Sequence, residues 1–225
     1  SALRRPDEYL ASWHGQRLKV GESALPLYPK GLKQYLKTIH FNYRTAVGAW
    51  HEWVPNPNLI LRNYADVLTA GGSVEDFCYH CDLTLPEGTE PQGQANPSLP
   101  RAAFYLMERA NKELVSQSRQ ALASFLLQHA KKICKIPDIN VELFGRSQRE
   151  QMLTAFRPSD AYLAELSGQT QFFEDLNKIA MPRPVQEQYA ARQLLDAIDP
   201  GAIPDPVSSK FIRSLKSSFV PQSQV

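Results

Sequence analysis

The residue types best suited to chemistry are three cysteines and five histidines in a chain of 225 residues. Cys78-Tyr79-His80-Cys81 is a Cys-x-x-Cys, and together with His129 and Cys134 it offers the four soft ligands that a structural zinc site uses. Apolar and polar residues alternate over 74–85, however, and this alternation predicts a strand. Side chains at i and i+3 of a strand point to opposite faces, so Cys78 and Cys81 would not share one ion. We therefore expect ordinary cysteines and no metal.

Trp50-His51-Glu52-Trp53 places a histidine next to a carboxylate, the pair that general acid–base catalysis uses. Neighbours on a helix point about 100° apart, so these two side chains do not face each other. The favoured interpretation is the end of a helix whose tryptophans close the hydrophobic core.

Recognisable catalytic or cofactor motifs are missing from the sequence. It contains no Gly-x-Ser-x-Gly, no Gly-x-Gly-x-x-Gly, no Walker loop and no His-Glu-x-x-His. A dispersed active site stays open as an alternative, because catalytic triads are assembled in space rather than in sequence. We expect a protein that is not an enzyme and that carries no cofactor.

The charge balance and the cysteine count narrow the class of protein. The net charge of +2 predicts neither nucleic-acid binding nor membrane attachment for the chain as a whole, so such a role would need a local patch. No apolar run approaches the roughly 20 residues of a membrane-spanning helix, and residues 1–8 lack a secretory-signal pattern. An odd, low cysteine count favours a reducing compartment, so we expect a cytoplasmic protein.

Apolar residues that recur every three or four positions predict a mainly α fold with a minor β component. A capping box at Ser147-Gln148-Arg149-Glu150 predicts a helix that breaks at Arg157-Pro158. The predicted helices cover 7–19, 32 to before Pro55, 58–69, 100–135 with a division or bend near Ser116, 147–156, 160–180 and 185–198. Alternation predicts strands at 74–85 and 139–144. The predicted regions are 1–98, 99–180 and 181–225, the last of which is a Pro-rich segment and a basic tail. The tail, from Val207, is predicted to be a peripheral or partly ordered helix.

Basic residues are grouped along the chain. Lys30, Lys33 and Lys37 would share one helical face near a helix N-terminus, where the helix dipole disfavours cations. A phosphate-bearing partner would account for this placement. Lys131, Lys132 and Lys135 crowd the end of a predicted helix, where the dipole explains them without any ligand.

Residues 139–180, predicted as strand, helix, break and helix, resemble ribbon-helix-helix DNA-binding proteins. In that family, a dimer places paired strands in the major groove. The resemblance implies that Asn140 and Glu142 face the bases, and that backbone amides near Ser159 hold a phosphate. The nucleic-acid-binding residues predicted from the resemblance and from the basic groups are Asn140, Glu142, Arg146, Arg149, Ser159, Lys30, Lys33 and Lys37.

Two functions follow as hypotheses. The favoured one is a non-enzymatic protein associated with duplex DNA, such as a dimeric transcriptional regulator. The alternative is a helical adaptor or assembly subunit that binds other proteins or itself, with the tail residues Phe211, Ile212, Leu215 and Phe219 laid into a partner's groove. A membrane partner is not expected.

Overall fold

The fold of the computed structural model is mainly α with a minor β component, as predicted. The structure describes residues 2–36, 38, 42–89 and 97–219. The chain forms two compact units, each built from separate stretches of sequence. The first unit contains 1–10, 33–95 and 149–181, and the second contains 11–32, 96–148 and 182–225.

Helices form most of the described chain. The α-helices there are α1 (Pro6–Lys19), α2 (Tyr43–Trp53), α3 (Tyr64–Thr69), α4 (Ser73–His80), α5 (Phe104–Glu113), α6 (Ser116–Ile133), α7 (Arg146–Ser167), α8 (Glu187–Ala197) and α9 (Pro206–Ser218). Short 3-10 helices cover Gly31–Gln34, Arg101–Ala103, Asp138–Asn140, Leu176–Ala180 and Pro200–Ala202.

The strands are two residues long and pair in parallel within each unit. In the first unit, β1 (Ala2–Leu3) pairs with β2 (Arg62–Asn63). In the second unit, β3 (Val141–Glu142) pairs with β4 (Val185–Gln186). These pairs fasten chain segments together and are too short to form a core of their own.

The first unit has an aromatic centre. The Tyr43 ring meets Phe156 edge-on at 5.4 Å, and Phe156 lies 5.7 Å from Phe173. The Tyr43 hydroxyl donates a 2.7 Å hydrogen bond to the Arg4 carbonyl, which satisfies its polar end where burial would otherwise be costly.

The second unit has an aliphatic core between its helices. Leu106 of α5, Leu126 of α6 and Leu194 of α8 are all fully buried. The Ser208 hydroxyl at the start of α9 donates a 2.7 Å hydrogen bond to the Ser118 carbonyl of α6, which ties these two helices together.

Residues 74–85 do not form the predicted strand, because Ser73–His80 is the helix α4. Glu75 and Asp76 occupy its first turn, where the helix dipole favours acidic side chains. Asp76 pairs with Arg62 at 3.0 Å and lies 3.8 Å from His80, one helical turn away. The alternation of apolar and polar residues therefore predicted the wrong secondary structure. Asp76 and His80 approach each other because they are four residues apart on a helix.

α7 runs unbroken through Pro158, where the sequence predicted a break between two helices. Its buried positions Met152, Phe156 and Leu163 continue along one face on both sides of the proline. Burial of that face outweighs the lost backbone hydrogen bond, which costs about 3 kcal/mol. At its start, the Gly145 N–H donates to Gln148 Oε1 at 2.9 Å, so Gln148 supplies the back-reaching side chain that the sequence assigned to Glu150.

Three further predictions concern helix extents. The segment 100–135 is divided as expected, between α5 and α6. The helix predicted from Leu32 is instead a short 3-10 helix, Gly31–Gln34, and α2 starts separately at Tyr43. The tail predicted as peripheral is the packed helix α9, whose Ile212 is fully buried.

Candidate functional site

α2 is anchored to the first unit along one side. Asn42 caps it, because its side-chain oxygen accepts a 3.1 Å hydrogen bond from the Thr45 N–H. Tyr43 and Val47, one helical turn apart, are buried. At the other end, the Val54 N–H donates to the Trp50 carbonyl at 3.0 Å.

A second side of α2 lies against Tyr162 of α7. The Arg44 guanidinium carbon is 5.3 Å from the centre of the Tyr162 ring. A Cβ placed on Gly48 would lie 3.7 Å from the Tyr162 hydroxyl oxygen. These contacts leave the remaining face of α2 turned away from the described side chains that hold the helix.

That remaining face carries an apolar stripe. Ala46, Ala49, Trp50 and Trp53 are spaced i, i+3, i+4 and i+7, which places them on one side of a helix. Trp50 is 59% exposed and Trp53 is 78% exposed. We call these four residues the tryptophan stripe. The expectation that the tryptophans close the core is therefore wrong, although the helix does end at Trp53.

A cavity of about 900 Å³ lies along this stripe. Among the described residues that line it, the charged ones are Arg44, near the start of α2, and Glu52, near its end. The site therefore combines an apolar floor with a cation at one end and a carboxylate at the other. Such a surface is suited to binding an apolar segment in a fixed orientation.

Glu142, one of the two residues predicted to contact DNA bases, forms hydrogen bonds within the chain instead. Both Glu142 carboxylate oxygens are engaged by backbone amides: Oε1 accepts from Phe144 at 2.8 Å and Oε2 from Arg183 at 2.7 Å. Asn140 is half-buried in the 3-10 helix Asp138–Asn140. The strand predicted there is reduced to Val141–Glu142 and pairs within the chain.

The predicted phosphate contacts are mostly dispersed or buried. Arg149 is 2% exposed and donates a 2.9 Å hydrogen bond to the Ile179 carbonyl, while Ser159 is buried. Arg146, Lys30 and Lys33 are exposed. Lys37 lies outside the residues that the structure describes, so the predicted face of three lysines is not seen. These positions belong partly to one unit and partly to the other.

An unpredicted cluster of titratable side chains lies inside the second unit. His14 Nε2 is 3.3 Å from Glu108 Oε1, and both residues are buried. Burial raises the pKa of Glu187 well above its usual range, and the nearby charge of Glu108 raises it further. One signal was present in the sequence: Glu108 follows Phe104 by four residues, on the apolar face of its helix.

The charge of Glu108 favours the protonated form of Glu187. Among the described residues, no group of three or more His, Cys, Asp or Glu side chains could hold a metal ion. Cys78 and Cys81 are unbridged. Because Cys78 and Cys81 lie three residues apart at the end of a helix, their side chains are not on opposite faces as they would be in a strand.

A smaller cavity of about 360 Å³ lies at the C-terminal end of α6. Lys131 and Lys135 line it, and both side chains are exposed. Asp138 on its wall accepts a 2.9 Å hydrogen bond from the Arg101 N–H through Oδ1. The cavity therefore has a basic rim beside a carboxylate that is already engaged.

No protein-family model and no solved structure matches the chain. It is similar to an uncharacterized protein of Archaeoglobus fulgidus, with 28% identity over 164 residues. The match covers 72% of this chain but only 43% of that relative, so the chain spans less than half the length of this curated relative. No helix in the described ranges is both long and apolar enough to cross a membrane.

Proposed function

We propose that the chain is a non-enzymatic helical binding protein that docks an apolar segment of a protein partner on the tryptophan stripe. The observation that carries this proposal is the exposure of Trp50 and Trp53 side by side along a cavity of about 900 Å³. Contiguous apolar surface of this kind marks interaction sites, and tryptophan is the residue most enriched among binding hot spots.

The free energy expected from covering the two tryptophan rings is large enough to support docking. A buried aromatic side chain contributes on the order of 150–250 Å². Covering the exposed parts of both rings would remove roughly 300 Å² of apolar surface, worth about 7 kcal/mol at ~25 cal/mol per Å². Association costs several kcal/mol in lost freedom, so the stripe can anchor a complex of moderate affinity once neighbouring contacts are added.

The binding surface proposed here differs from the tail that the adaptor hypothesis assumed. The tail residues that motivated it, including Phe211 and Ile212, are buried inside the second unit and would have to leave the core to reach a partner groove. The tryptophan stripe needs no such rearrangement, because its two tryptophan side chains are already exposed.

The test uses a displayed library of peptides about 15 residues long, four helical turns, selected on the immobilised chain. Affinities of the selected peptides are then measured by fluorescence anisotropy. We expect Trp53→Ala to weaken binding at least about tenfold, as hot-spot truncations do. Tyr79→Ala is the matched control, because Tyr79 is 79% exposed on α4 and lies outside the stripe.

Equal affinity of the wild-type chain and Trp53→Ala for every selected peptide would reject the stripe as the binding surface. Far-UV circular dichroism of both variants checks that their helical content is unchanged.

Association with duplex DNA, as in a dimeric regulator, is a second candidate function. The observation that favours it is the exposed group Lys131, Lys132 and Lys135 in the second unit, with Lys131 and Lys135 at the rim of a cavity. Phosphate contacts of this kind require cations but no base reading. The hydrogen bonds that both Glu142 carboxylate oxygens accept within the chain argue against base reading by Glu142, which the family resemblance implied.

Binding to random duplex DNA at about 50 and 200 mM salt tests this second candidate. We expect measurable binding at low salt with a clear salt slope, and a smaller slope for Lys131→Glu/Lys135→Glu. An affinity too weak to detect at low salt, or one that is insensitive to salt, would reject DNA association.

A further inference from the structure

Cys78 and Cys81 lie on the outward side of the C-terminal end of α4. Cys78 is in the last turn of the helix and is half-buried, and Cys81 directly follows the helix and is exposed. Asp76, which is buried, comes two residues before Cys78 and therefore points to the opposite side. Val74 and Phe77, each four residues before one of the cysteines, are 56% and 59% exposed. The two thiols therefore share a side of α4 that is open to solvent.

The spacing of the two cysteines suits a disulfide bond. Residues i and i+3 of an α-helix have Cα atoms about 5 Å apart, because a rise of about 4.5 Å and most of one turn separate them. A disulfide joins Cα atoms that are roughly 4.4–6.8 Å apart, so the helical backbone meets this requirement. The Cβ atoms of such residues are about 5–6 Å apart, whereas a disulfide needs about 3.8 Å. Closing the bond therefore requires a local tightening of roughly 1–2 Å.

The end of α4 can supply this tightening. Cys81 has φ −104° and ψ 7°, outside the range of a regular α-helix, and Asp82 has a φ of 52°, so the chain leaves the helix directly after Cys81. The hydrogen bonds that close this end run from the Cys81 N–H to the Phe77 carbonyl at 3.0 Å and from the Leu83 N–H to the Cys78 carbonyl at 2.9 Å. A shift of Cys81 strains these last bonds and no further helical turn. A disulfide formed in this way is strained and exposed, and such bonds are readily reduced.

We propose that Cys78 and Cys81 are a redox modification site, at which they form a reversible intramolecular disulfide by exchange with a low-molecular-weight disulfide such as oxidised glutathione. This inference goes beyond the proposed function, because it concerns α4 and does not depend on the tryptophan stripe. Cys81 is the attacking cysteine, since its exposure gives the small disulfide access to its sulfur. Cys78 is the resolving cysteine, one helical turn away.

The exchange takes place in two steps. The Cys81 thiolate attacks one sulfur of the small disulfide, which forms a mixed disulfide on Cys81 and expels one small thiolate. The Cys78 thiolate then attacks the Cys81 sulfur of the mixed disulfide, which forms the Cys78–Cys81 bond and expels the second small thiolate. The two protein thiols lose two protons and two electrons in total, and the small disulfide takes them up to become two thiols. An excess of the small thiol reverses both steps.

Mixtures of reduced and oxidised glutathione test the site on the full chain. The chain is equilibrated with several ratios of the two at about pH 8, because the thiolate is the nucleophile. Acid quenching, alkylation of the remaining thiols and peptide mass spectrometry then give the fraction of each disulfide. We expect a Cys78–Cys81 disulfide whose fraction rises with the share of oxidised glutathione and falls again when reduced glutathione is added. Absence of this disulfide at every ratio would overturn the proposal.

Single substitutions separate the roles of the two cysteines. We expect Cys78→Ser to accumulate the mixed disulfide on Cys81 at least about tenfold above the wild-type level, because the resolving thiol is missing. Cys134→Ser is the matched control: Cys134 belongs to the second unit, and its loss should leave the Cys78–Cys81 disulfide unchanged. Equal mixed-disulfide levels on Cys81 in the wild-type chain and Cys78→Ser, or a wild-type disulfide that joins Cys134 or two copies of the chain, would contradict the intramolecular pair. Far-UV circular dichroism of the reduced variants checks that their helical content is unchanged.

Discussion

Replacing Glu187 by glutamine tests the buried acidic cluster. Glu187 is the half-buried first residue of α8, and the nearby Glu108 is itself 3.3 Å from His14. Burial and the charge of Glu108 hold the pKa of Glu187 well above its usual 4.5. The folded chain therefore retains a proton on Glu187 at pH values where the unfolded chain has lost it.

The sign of the pH dependence follows from this difference. A raised folded-state pKa gives stability that is fully present below pH 4.5 and is lost as pH rises through the folded-state value. Across that window the folded chain holds up to one more proton than the unfolded chain. The free energy of unfolding should then fall with a slope of up to about 1.4 kcal/mol per pH unit from this group.

Glutamine keeps the shape and the hydrogen-bonding capacity of the side chain but does not titrate. We expect Glu187→Gln to remove this slope, so that its stability relative to the wild-type chain rises steadily with pH above 4.5. Urea unfolding followed by circular dichroism at several pH values measures it, and Glu165→Gln, at an exposed position of α7, is the control. Parallel profiles for the wild-type chain and Glu187→Gln would refute the reasoning.

Four further substitutions test other parts of the structure. Pro158→Ala should raise the melting temperature by restoring a backbone hydrogen bond within α7, and a lower value would show that the proline is needed there. Arg149→Ala should cost about 1–3 kcal/mol, because it removes the buried donor to the Ile179 carbonyl, and it should leave any DNA affinity unchanged. Ile212→Ala should cost about 2–5 kcal/mol in urea unfolding, whereas an exposed tail would lose almost nothing. Gln148→Ala should cost about 1–3 kcal/mol, because its amide group bonds the Leu27 and Pro29 carbonyls; an unchanged unfolding midpoint would contradict this.

The sequence alone predicted the class of fold and several of its helices. α1 and α8 lie close to the predicted 7–19 and 185–198, and the predicted division near Ser116 separates α5 from α6. These predictions succeeded because apolar residues at helical spacing imply one buried face, and that periodicity is local to each segment.

Short segments were less predictable from local pattern. Residues 74–85 alternate as a strand would, yet residues 74–80 belong to a helix, in which Asp76 pairs with Arg62. Pro158 predicts a helix end, yet the buried face of α7 continues past it. In α7, burial of that face offsets the local cost of the proline, which is about 3 kcal/mol.

The candidate site was decided by tertiary structure alone. The sequence shows that Trp50 and Trp53 lie on one side of a helix, but not whether that side is covered. The first unit covers Tyr43 and Val47 instead, and so leaves the tryptophans exposed. The opposite holds for α9: the sequence predicted a peripheral helix, but Ile212 is buried. Periodicity shows that a face is apolar, whereas burial depends on which other segments of the chain pack against that face.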